Sequence, residues 1–160
     1  MTQITYDFRP VCADDAAVLS QMRADFFQTQ VDAGLLDIPL DNDGAIARTT
    51  AAIMRGGRSH CLLAVGPDGI AAYIYFVIRT VPGVTKTAIG SVEEVYVAPS
   101  GQRQRLAYHL VKRAVAQMRA LKAERIQARV IATNGPAVQF WDKQGFAENV
   151  RILEFPVDEA

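Results

Sequence analysis

The amino-acid sequence predicts a mixed α/β (α+β) fold, in which a mostly antiparallel central sheet carries helices on both faces. Three observations carry this. The apolar patterns along the chain follow the order βααβββαβαβ. Two β-rich runs, SHCLLAVG (59–66) and IAAYIYFVIRT (70–80), flank the turn GPDG and read as a hairpin. An amphipathic stretch over 104–122 stands between two strand patterns, so the unit 91–131 is expected to form a right-handed parallel crossover.

Each element has its own signature. QITYDFR (3–9) alternates and is partly β-branched or aromatic, an opening strand that stops at Pro10. Asp14 and Asp15 then oppose the positive end of a helix over 13–30, with its buried stripe expected at Val18, Met22 and Phe26. The acidic, proline-containing VDAGLLDIPLDND (31–43) separates it from a second helix, which runs to Met54 and ends before Gly56-Gly57. The near-continuous hydrophobicity of 59–66 and 70–80 indicates strands covered on both faces. AIGSVEEVYV (88–97) is the next strand, ended by Pro99. In the helix 104–122, Leu106, Leu110, Ala114, Met118 and Leu121 recur on one side, with Lys112, Arg113 and Gln117 on the other. RIQARVIA (125–132) reads as a strand and TNGPAVQFWDKQ (133–144) as a short helix with Pro136 near its start. GFAENVRILEFPV (145–157) reads as a final strand or bent pair.

The 160 residues, half of them apolar, suffice for one domain over 1–160 with a single sizeable core. Seventeen basic and seventeen acidic side chains cancel, so no global field draws the chain to nucleic acid or to an anionic membrane, and neither partner is expected. Cys12 and Cys61 lack the spacing of a zinc site and are too few for a disulfide framework, which fits a reducing, cytoplasmic setting. His60 and His109 complete no ligand cluster, so no metal is expected. The longest apolar run, Ile70 to Ile78, is half the length of a spanning helix, and MTQITYDFRP lacks the layout of a signal peptide.

VYVAPSGQRQRLAYHL (95–110) runs from a strand end into a helix start. The first helical N–H groups have no intrahelical partner and the dipole end is positive, so residues 102–108 offer a place for a pyrophosphate held by backbone donors. Every α/β protein has such junctions, and geometry alone does not select this one. The residues add more. Gln102-Arg103-Gln104-Arg105-Leu106-Ala107 resembles the pyrophosphate loop Q/R-x-x-G-x-G/A of the GNAT superfamily of acyl-CoA-dependent N-acyltransferases. Val97 and Pro99 fit the hydrophobic-x-Pro before that loop and Leu110 the apolar position after it, while Arg105 departs from the central glycine. NGPAVQFWDKQGF is similar to the family's N-x-x-A-x-x-(F/L)-(Y/W)-x-x-x-G-F through Asn134, Ala137, Phe140 and Gly145-Phe146.

The resemblance covers 88–147 closely and the preceding elements in outline. It implies a GNAT-like fold, acetyl-CoA or coenzyme A as co-substrate without a metal, and transfer of the acetyl group to a primary amine by direct attack in a ternary complex. Arg105 is compatible with it if it already lies in the first helical turn, where no glycine is needed. Arg103 and Arg105 would then add salt-sensitive attraction for the phosphates, and Tyr108 follows in the same helix start.

In the family, the strand before the loop bulges and splays from the next strand, freeing main-chain groups for the pantetheine arm; Val95, Tyr96 and Val97 match that segment. The chemical need stands apart from the resemblance. A thioester carbonyl under attack develops negative charge, and an aimed backbone N–H stabilises it; the Val95 amide is the candidate donor. The Val95 and Val97 side chains are core valines in either case. An alkylamine arrives protonated, so a carboxylate is the simplest base, and Glu93 and Glu94 stand in the strand leading to the cleft. Alternation sends neighbouring side chains to opposite faces unless a bulge intervenes, so only one of the two is expected to be catalytic. The resemblance favours Glu93, at a position where many small-molecule members carry an acidic base or amine anchor; the plain structural reading is a solvated edge carboxylate.

Trp141 stands where many relatives carry a tyrosine that protonates the departing thiolate. An indole cannot do this, so Trp141 either packs against the pantetheine end or fills the core, with Tyr96 or Tyr108 as substitute acids. Asn134 matches an asparagine that bonds the cofactor's amide arm, and serves equally to start a helix. Asp25, Asp32, Asp37, Asp41 and Asp43 cluster in or beside the first interhelical segment, which in the family commonly walls the acceptor site. A cationic small-molecule amine suits that wall, and a merely solvated acidic loop is the plain alternative. A protein or peptide N-terminus stays open as acceptor. From other functional classes, so do a catalytically inert acyl-CoA-binding or regulatory module, suggested by Trp141 and Arg105, and a nucleotide-binding α/β domain. The apolar tail RILEFPV (151–157) either crosses into a neighbour's sheet to make a homodimer, as family dimers sometimes do, or closes its own.

Overall fold

A computed structural model describes residues 4–37, 44–80 and 87–154. The chain runs through β1 (Asp7–Pro10), a 3-10 turn (Ala13–Asp15), α1 (Ala16–Asp32), α2 (Ala45–Met54), β2 (Ser59–Gly66), β3 (Gly69–Thr80) and β4 (Ala88–Val97). A second 3-10 turn (Pro99–Gly101), α3 (Leu106–Ala120), β5 (Arg125–Ala128) and α4 (Gly135–Lys143) follow. The five strands lie in chain order in one sheet. The first three pairings are antiparallel, and β4 pairs with β5 in parallel, as a strand, helix, strand crossover requires.

Strand alternation gives the sheet two apolar faces, each covered by one pair of helices. Leu62, Ala64, Ile74, Phe76 and Val92 meet Leu106, Leu110, Ala114 and Met118 of α3 and Trp141 of α4. On the other face Cys61, Leu63 and Tyr73 meet Leu19 and Met22 of α1 and Ile53 of α2. Covering both faces removes the polar alternation from β2 and β3, which is why their sequences read as continuous apolar runs. The hairpin between them closes on Pro67-Asp68, with Gly66 opposite Gly69 and Gly69 at φ 114°, a conformation that L side chains rarely adopt.

Several boundaries differ from the sequence reading, each for a local reason. Pro10 lies inside β1 rather than beyond it, because β1 is an edge strand and its missing N–H faces no neighbour; Val11 N still donates to Cys61 O at 3.0 Å. The stripe of α1 is turned from the expected one: Val18 is 48% exposed, while Leu19, Met22 and Arg23 are buried. An arginine thus occupies an inward position, and pattern reading had assigned the inward positions to apolar residues. Leu121 falls past the end of α3 and is exposed, and Val111 joins the buried stripe instead. Residues 146–154 form no strand, and Val150, Ile152 and Leu153 are exposed; 155–157, the rest of the expected final strand, lie outside the described residues. Among the described residues no helix is long and apolar enough to cross a membrane, and no group of three His, Cys, Asp or Glu is placed to hold a metal.

A bidentate ion pair ties β1 to the start of α1. Arg9 Nη1 and Nη2 donate to Asp15 Oδ2 and Oδ1 at 2.7 and 2.8 Å, and Cys12 N donates to Oδ2 at 2.8 Å. Arg9 holds the Asp15 carboxyl well below the ordinary aspartate range, outweighing the burial that opposes ionisation, and the Cys12 amide adds to the effect. A lowered folded-state pKa contributes stability that is present above the unfolded value of about 3.9 and lost as the pH falls through the folded one. Asp15→Asn is therefore expected to cost about 1 kcal/mol at pH 7, a figure that allows for the partly exposed Arg9. Urea unfolding at stepped pH should also show a flatter loss of stability below about pH 4 than in the parent; equal acid slopes would count against the pair.

Candidate active site

The site grows from one irregularity in β4. Tyr75 of β3 lies opposite Glu94, yet Phe76 lies opposite Val92, so Glu93 is an extra residue that β3 does not match. Tyr73 and Arg79 share one face of β3, both being odd-numbered in a strand that is regular between them. Glu94 accepts from Tyr73 Oη at 2.9 Å, and Glu93 accepts from Arg79 Nη2. Both carboxylates therefore lie on the face covered by α1 and α2. The bulge cancels the alternation that would have sent them to opposite sides.

Beyond the bulge, the register decides where the main chain points. Ala98 N donates to Ala71 O at 2.8 Å, which makes 98 and 71 a hydrogen-bonded pair. Counting back by two, Tyr96 opposite Tyr73 and Glu94 opposite Tyr75 are hydrogen-bonded pairs as well. Val95 and Val97 occupy the alternate positions, so their N–H and C=O groups turn away from β3 and toward the β5 side. There the partner strand has stopped: the β4–β5 ladder ends at Val92 opposite Ala128, with Arg129 N reaching Val92 O at 3.3 Å. The main chain of Val95 and Val97 opens into the resulting wedge. Tyr96, named with them from the sequence, has its backbone committed to β3, and its ring packs toward α1, 6.4 Å from Phe26. The Val95 and Val97 side chains pack on the α3 face as core valines.

The loop at the head of the wedge carries left-handed residues where helical ones were expected. Arg103 has φ 65° and Arg105, the N-cap of α3, has φ 55° and ψ 26°. Arg105 thus lies before the first helical turn, and both arginines occupy a conformation that glycine adopts without steric cost. Gln102, Arg103, Gln104 and Arg105 are exposed. The first bond of α3 runs from His109 N to Arg105 O at 3.1 Å, so the amides of Leu106, Ala107 and Tyr108 have no carbonyl to bond within the helix. They form a cluster of donors at the positive end of a fifteen-residue helix, suited to an anionic phosphate. Gly101 holds the loop close to the sheet: a Cβ there would meet Leu106 Cδ1 at 2.7 Å and Ala71 O at 3.0 Å. The Arg105 guanidinium lies 4.9 Å from the Tyr108 ring centre.

The remaining expected residues divide between site and scaffold. Asn134 Oδ1 accepts from Ala137 N at 3.2 Å and so caps α4. Trp141 is buried on the α3 face between Phe140 and Phe146, with ring centres 5.2 and 4.9 Å away. Burial, aided by the nearby Asp25 carboxylate, raises the Tyr96 phenol above its usual range, so at neutral pH it keeps its proton. Asp25 and Asp32 accept from Gln21 and Gln28 on the exposed side of α1 at 2.9 and 2.6 Å, Asp37 is exposed, and Asp41 and Asp43 lie outside the described residues.

Glu94 is engaged on both oxygens. Arg23 Nε and Nη2 donate to Oε2 and Oε1 at 2.9 and 2.7 Å, and the Arg23 and Glu94 side chains are 6% and 7% exposed. Arg23 Nη1 turns to α2, donating to Thr49 Oγ1 at 2.8 Å and Thr50 Oγ1 at 3.0 Å. Burial and the neighbouring Glu94 charge push the Tyr73 phenol far up, so it stays the donor to that carboxylate. Glu93 is less enclosed, with 18% of its side chain exposed, and only its Oε1 is paired among the described residues. Sequence reading missed Arg23, Thr49, Thr50, Tyr73 and Arg79. The one available signal, an arginine at an inward helical position, becomes visible only once the phase of α1 is known.

Comparison with known proteins bears on the family and the fold. The family model described as acetyltransferase (GNAT) family matches residues 21–146. Among solved structures, the aminoglycoside N-acetyltransferase AAC(6')-Iy in complex with CoA superposes with a TM-score of 0.78 at 14% identity, over 98% of this chain and 97% of that one. The aminoglycoside 6'-N-acetyltransferase AAC(6')-IG from Acinetobacter haemolyticus gives 0.74 at 16% identity, over 96% and 99%. A ribosomal-protein-alanine N-acetyltransferase from Brucella melitensis biovar Abortus 2308 gives 0.74 at 13%, over 96% and 100%. At these identities the likeness is one of fold. No curated protein matches the chain.

The left-handed arginines make a stability prediction. Replacing Arg103 with glycine should relieve about 1 kcal/mol of backbone strain and raise the unfolding midpoint by about 3 °C. Arg105→Gly should gain less, because it forfeits a guanidinium–aromatic contact worth about 0.5 kcal/mol. A thermal scan in which both variants melt below the parent would show that the arginine side chains contribute more than their backbone costs.

Proposed function

This chain belongs to the acetyltransferase (GNAT) family, and from that premise we propose that it is an acetyl-CoA-dependent N-acetyltransferase acting on a primary amine of a cationic small molecule. The observation that carries the reading is the Val95 amide, turned into the wedge between β4 and β5, with β4 leading through the Pro99–Gly101 turn and one short loop to the donor cluster at the start of α3. Acetyl-CoA supplies the acetyl group as a thioester; attack by the amine forms the C–N bond and releases the thiol.

The chain's own groups divide the work. The amides of Leu106, Ala107 and Tyr108 receive the pyrophosphate, with Gln102, Gln104 and the guanidinium groups of Arg103 and Arg105 at its edge. The C=O and N–H of Val97 pair with the amide arm, and the Val95 N–H points at the carbonyl oxygen, where negative charge grows in the transition state. Glu93 lies on the α1–α2 face with one oxygen unpaired among the described residues and takes the amine proton, directly or through water. Tyr96, protonated at neutral pH and adjacent to Val95, replaces the missing tyrosine at position 141 as donor to the leaving thiolate. Asp25 beside it suits a cationic acceptor, and the aminoglycoside acetyltransferases among the structural neighbours support a small-molecule amine.

Incubation with acetyl-CoA and a panel of primary amines, followed through thiol release, tests the reading. Glu93→Gln should lower kcat about 100-fold with the CoA Kd unchanged, and unaltered turnover would sink Glu93 as base. CoA binding without turnover on any small amine or peptide N-terminus would favour the inert module. Arg103→Ala and Arg105→Ala should weaken CoA binding several-fold at low ionic strength and by less in ~0.5 M salt.

A further inference from the structure

Arg23 is a charged residue in the middle of α1, 5% exposed, and the chemistry above makes no use of it. Its donors split between two elements. Nε and Nη2 hold both oxygens of Glu94, which stands between the bulged residue and Val95. Nη1 holds α2 through the hydroxyls of Thr49 and Thr50 and reaches the Ile46 carbonyl at 3.3 Å. A buried pair of this kind is weak evidence of stabilisation, because hydrophobic residues of similar volume often serve stability as well or better. A guanidinium does offer a rigid planar fork, which fixes directions as well as distances. Neither α2 nor β4 can slide past α1 without breaking a bond to that plane. Tyr73, Cys61 and Tyr75 face the pair from the sheet; burial keeps the Tyr73 phenol protonated and pushes the Cys61 thiol up to about 12, so neither supplies a competing charge at neutral pH.

We propose that Arg23 is a positioning residue for acetyl transfer, setting through Glu94 the direction of the Val95 N–H and through Thr49 and Thr50 the place of α2, so that oxyanion donor and acceptor wall move as one body. The proposal rests on the wedge between β4 and β5 being the site of transfer. It assigns Glu94, a candidate base in the sequence, to aiming the backbone.

The two arms of Arg23 are separable. Glu94→Gln keeps the shape and loses the charge on the β4 arm; Thr50→Val removes one acceptor on the α2 arm; Arg23→Lys loses the fork altogether. Each is compared with the parent well below its unfolding midpoint, by amine kcat and KM, CoA Kd by calorimetry, and hydrogen exchange in the segments 45–54 and 93–97. Glu94→Gln is expected to lower kcat about tenfold or more with little change in amine KM. Thr50→Val should raise amine KM several-fold at nearly constant kcat, and Arg23→Lys should do both and speed exchange in both segments. CoA Kd should stay within about twofold throughout, because the phosphate donors lie on α3. Lowered midpoints with unchanged kcat and KM in Glu94→Gln and Thr50→Val would overturn the proposal, and those two variants decide it if Arg23→Lys does not fold. Absence of transfer by the parent on any amine would instead overturn the transferase reading. Exchange then judges the positioning alone, and unchanged exchange in both segments of Arg23→Lys would refute it.

Discussion

Between Val92 and Glu94, β4 carries one residue more than β3 can oppose, and most of what distinguishes the site follows from that mismatch. A strand of period two cannot absorb an extra residue without exchanging its faces from that point on. Below Glu93, Val92 packs under α3; above it, Val95 and Val97 do so again, which restores the core on that side. The price is that Glu93 and Glu94 fall on the same face, against α1 and α2. The bulge also sharpens the local twist, and the parallel ladder to β5 ends at Val92, the residue just before it. One insertion thus brings two carboxylates together and sits where the wedge begins, beside a Val95 main chain that no described strand pairs on the β5 side.

Two carboxylates side by side on a partly dry face would repel, and the structure separates them by giving each its own arginine. Glu94 goes inward to Arg23, where a phenol and a bidentate guanidinium satisfy it. Glu93 goes outward to Arg79, whose side chain is 46% exposed. The distinction is one of solvent. An enclosed carboxylate with both oxygens bonded is a fixed strut, whereas one that keeps an oxygen and some exposure can still exchange a proton with water or substrate. Removing either partner of the inner pair would leave a buried charge uncompensated, at a cost of about 3–5 kcal/mol, while the outer pair is worth less than about 1 kcal/mol.

The sequence was most legible where local chemistry and burial agree. β2 and β3 carry near-continuous apolar runs on either side of the turn GPDG, β4 is closed by Pro99, and the predicted limits of all three match the structure to within one residue. α3 was readable because one side is apolar and the other charged, although Val111 replaced Leu121 in the buried stripe. What could not be read depends on partners distant in the chain. The phase of α1 turns on Arg23 being inward, which is acceptable only because Glu94 lies seventy-one residues away. The bulge is set by how β4 meets β3, and nothing in the run SVEEVYV marks Glu93 as surplus. The positive φ of Arg103 and Arg105 is imposed by the loop, against the preference of the residues themselves.

That last conflict bears on how far a departing side chain argues against a function. Glycine is common at such a position because it tolerates φ near +60° and lets a ligand approach; only the second benefit is lost if another residue accepts the conformation. Arg103 and Arg105 do accept it, at about 1–2 kcal/mol each relative to glycine. Strain of that size persists where surrounding packing over-determines the backbone, here through Gly101 against Ala71 and Leu106. The donors of the proposed site are main-chain amides, and their directions follow from φ, ψ and register whichever side chain is attached. Arginine in place of glycine therefore leaves the anion-binding geometry intact and adds positive charge beside it. Tryptophan at position 141 is different in kind, since an indole cannot protonate a thiolate and no main-chain group can take its place, so in the proposed mechanism that task is assigned to Tyr96.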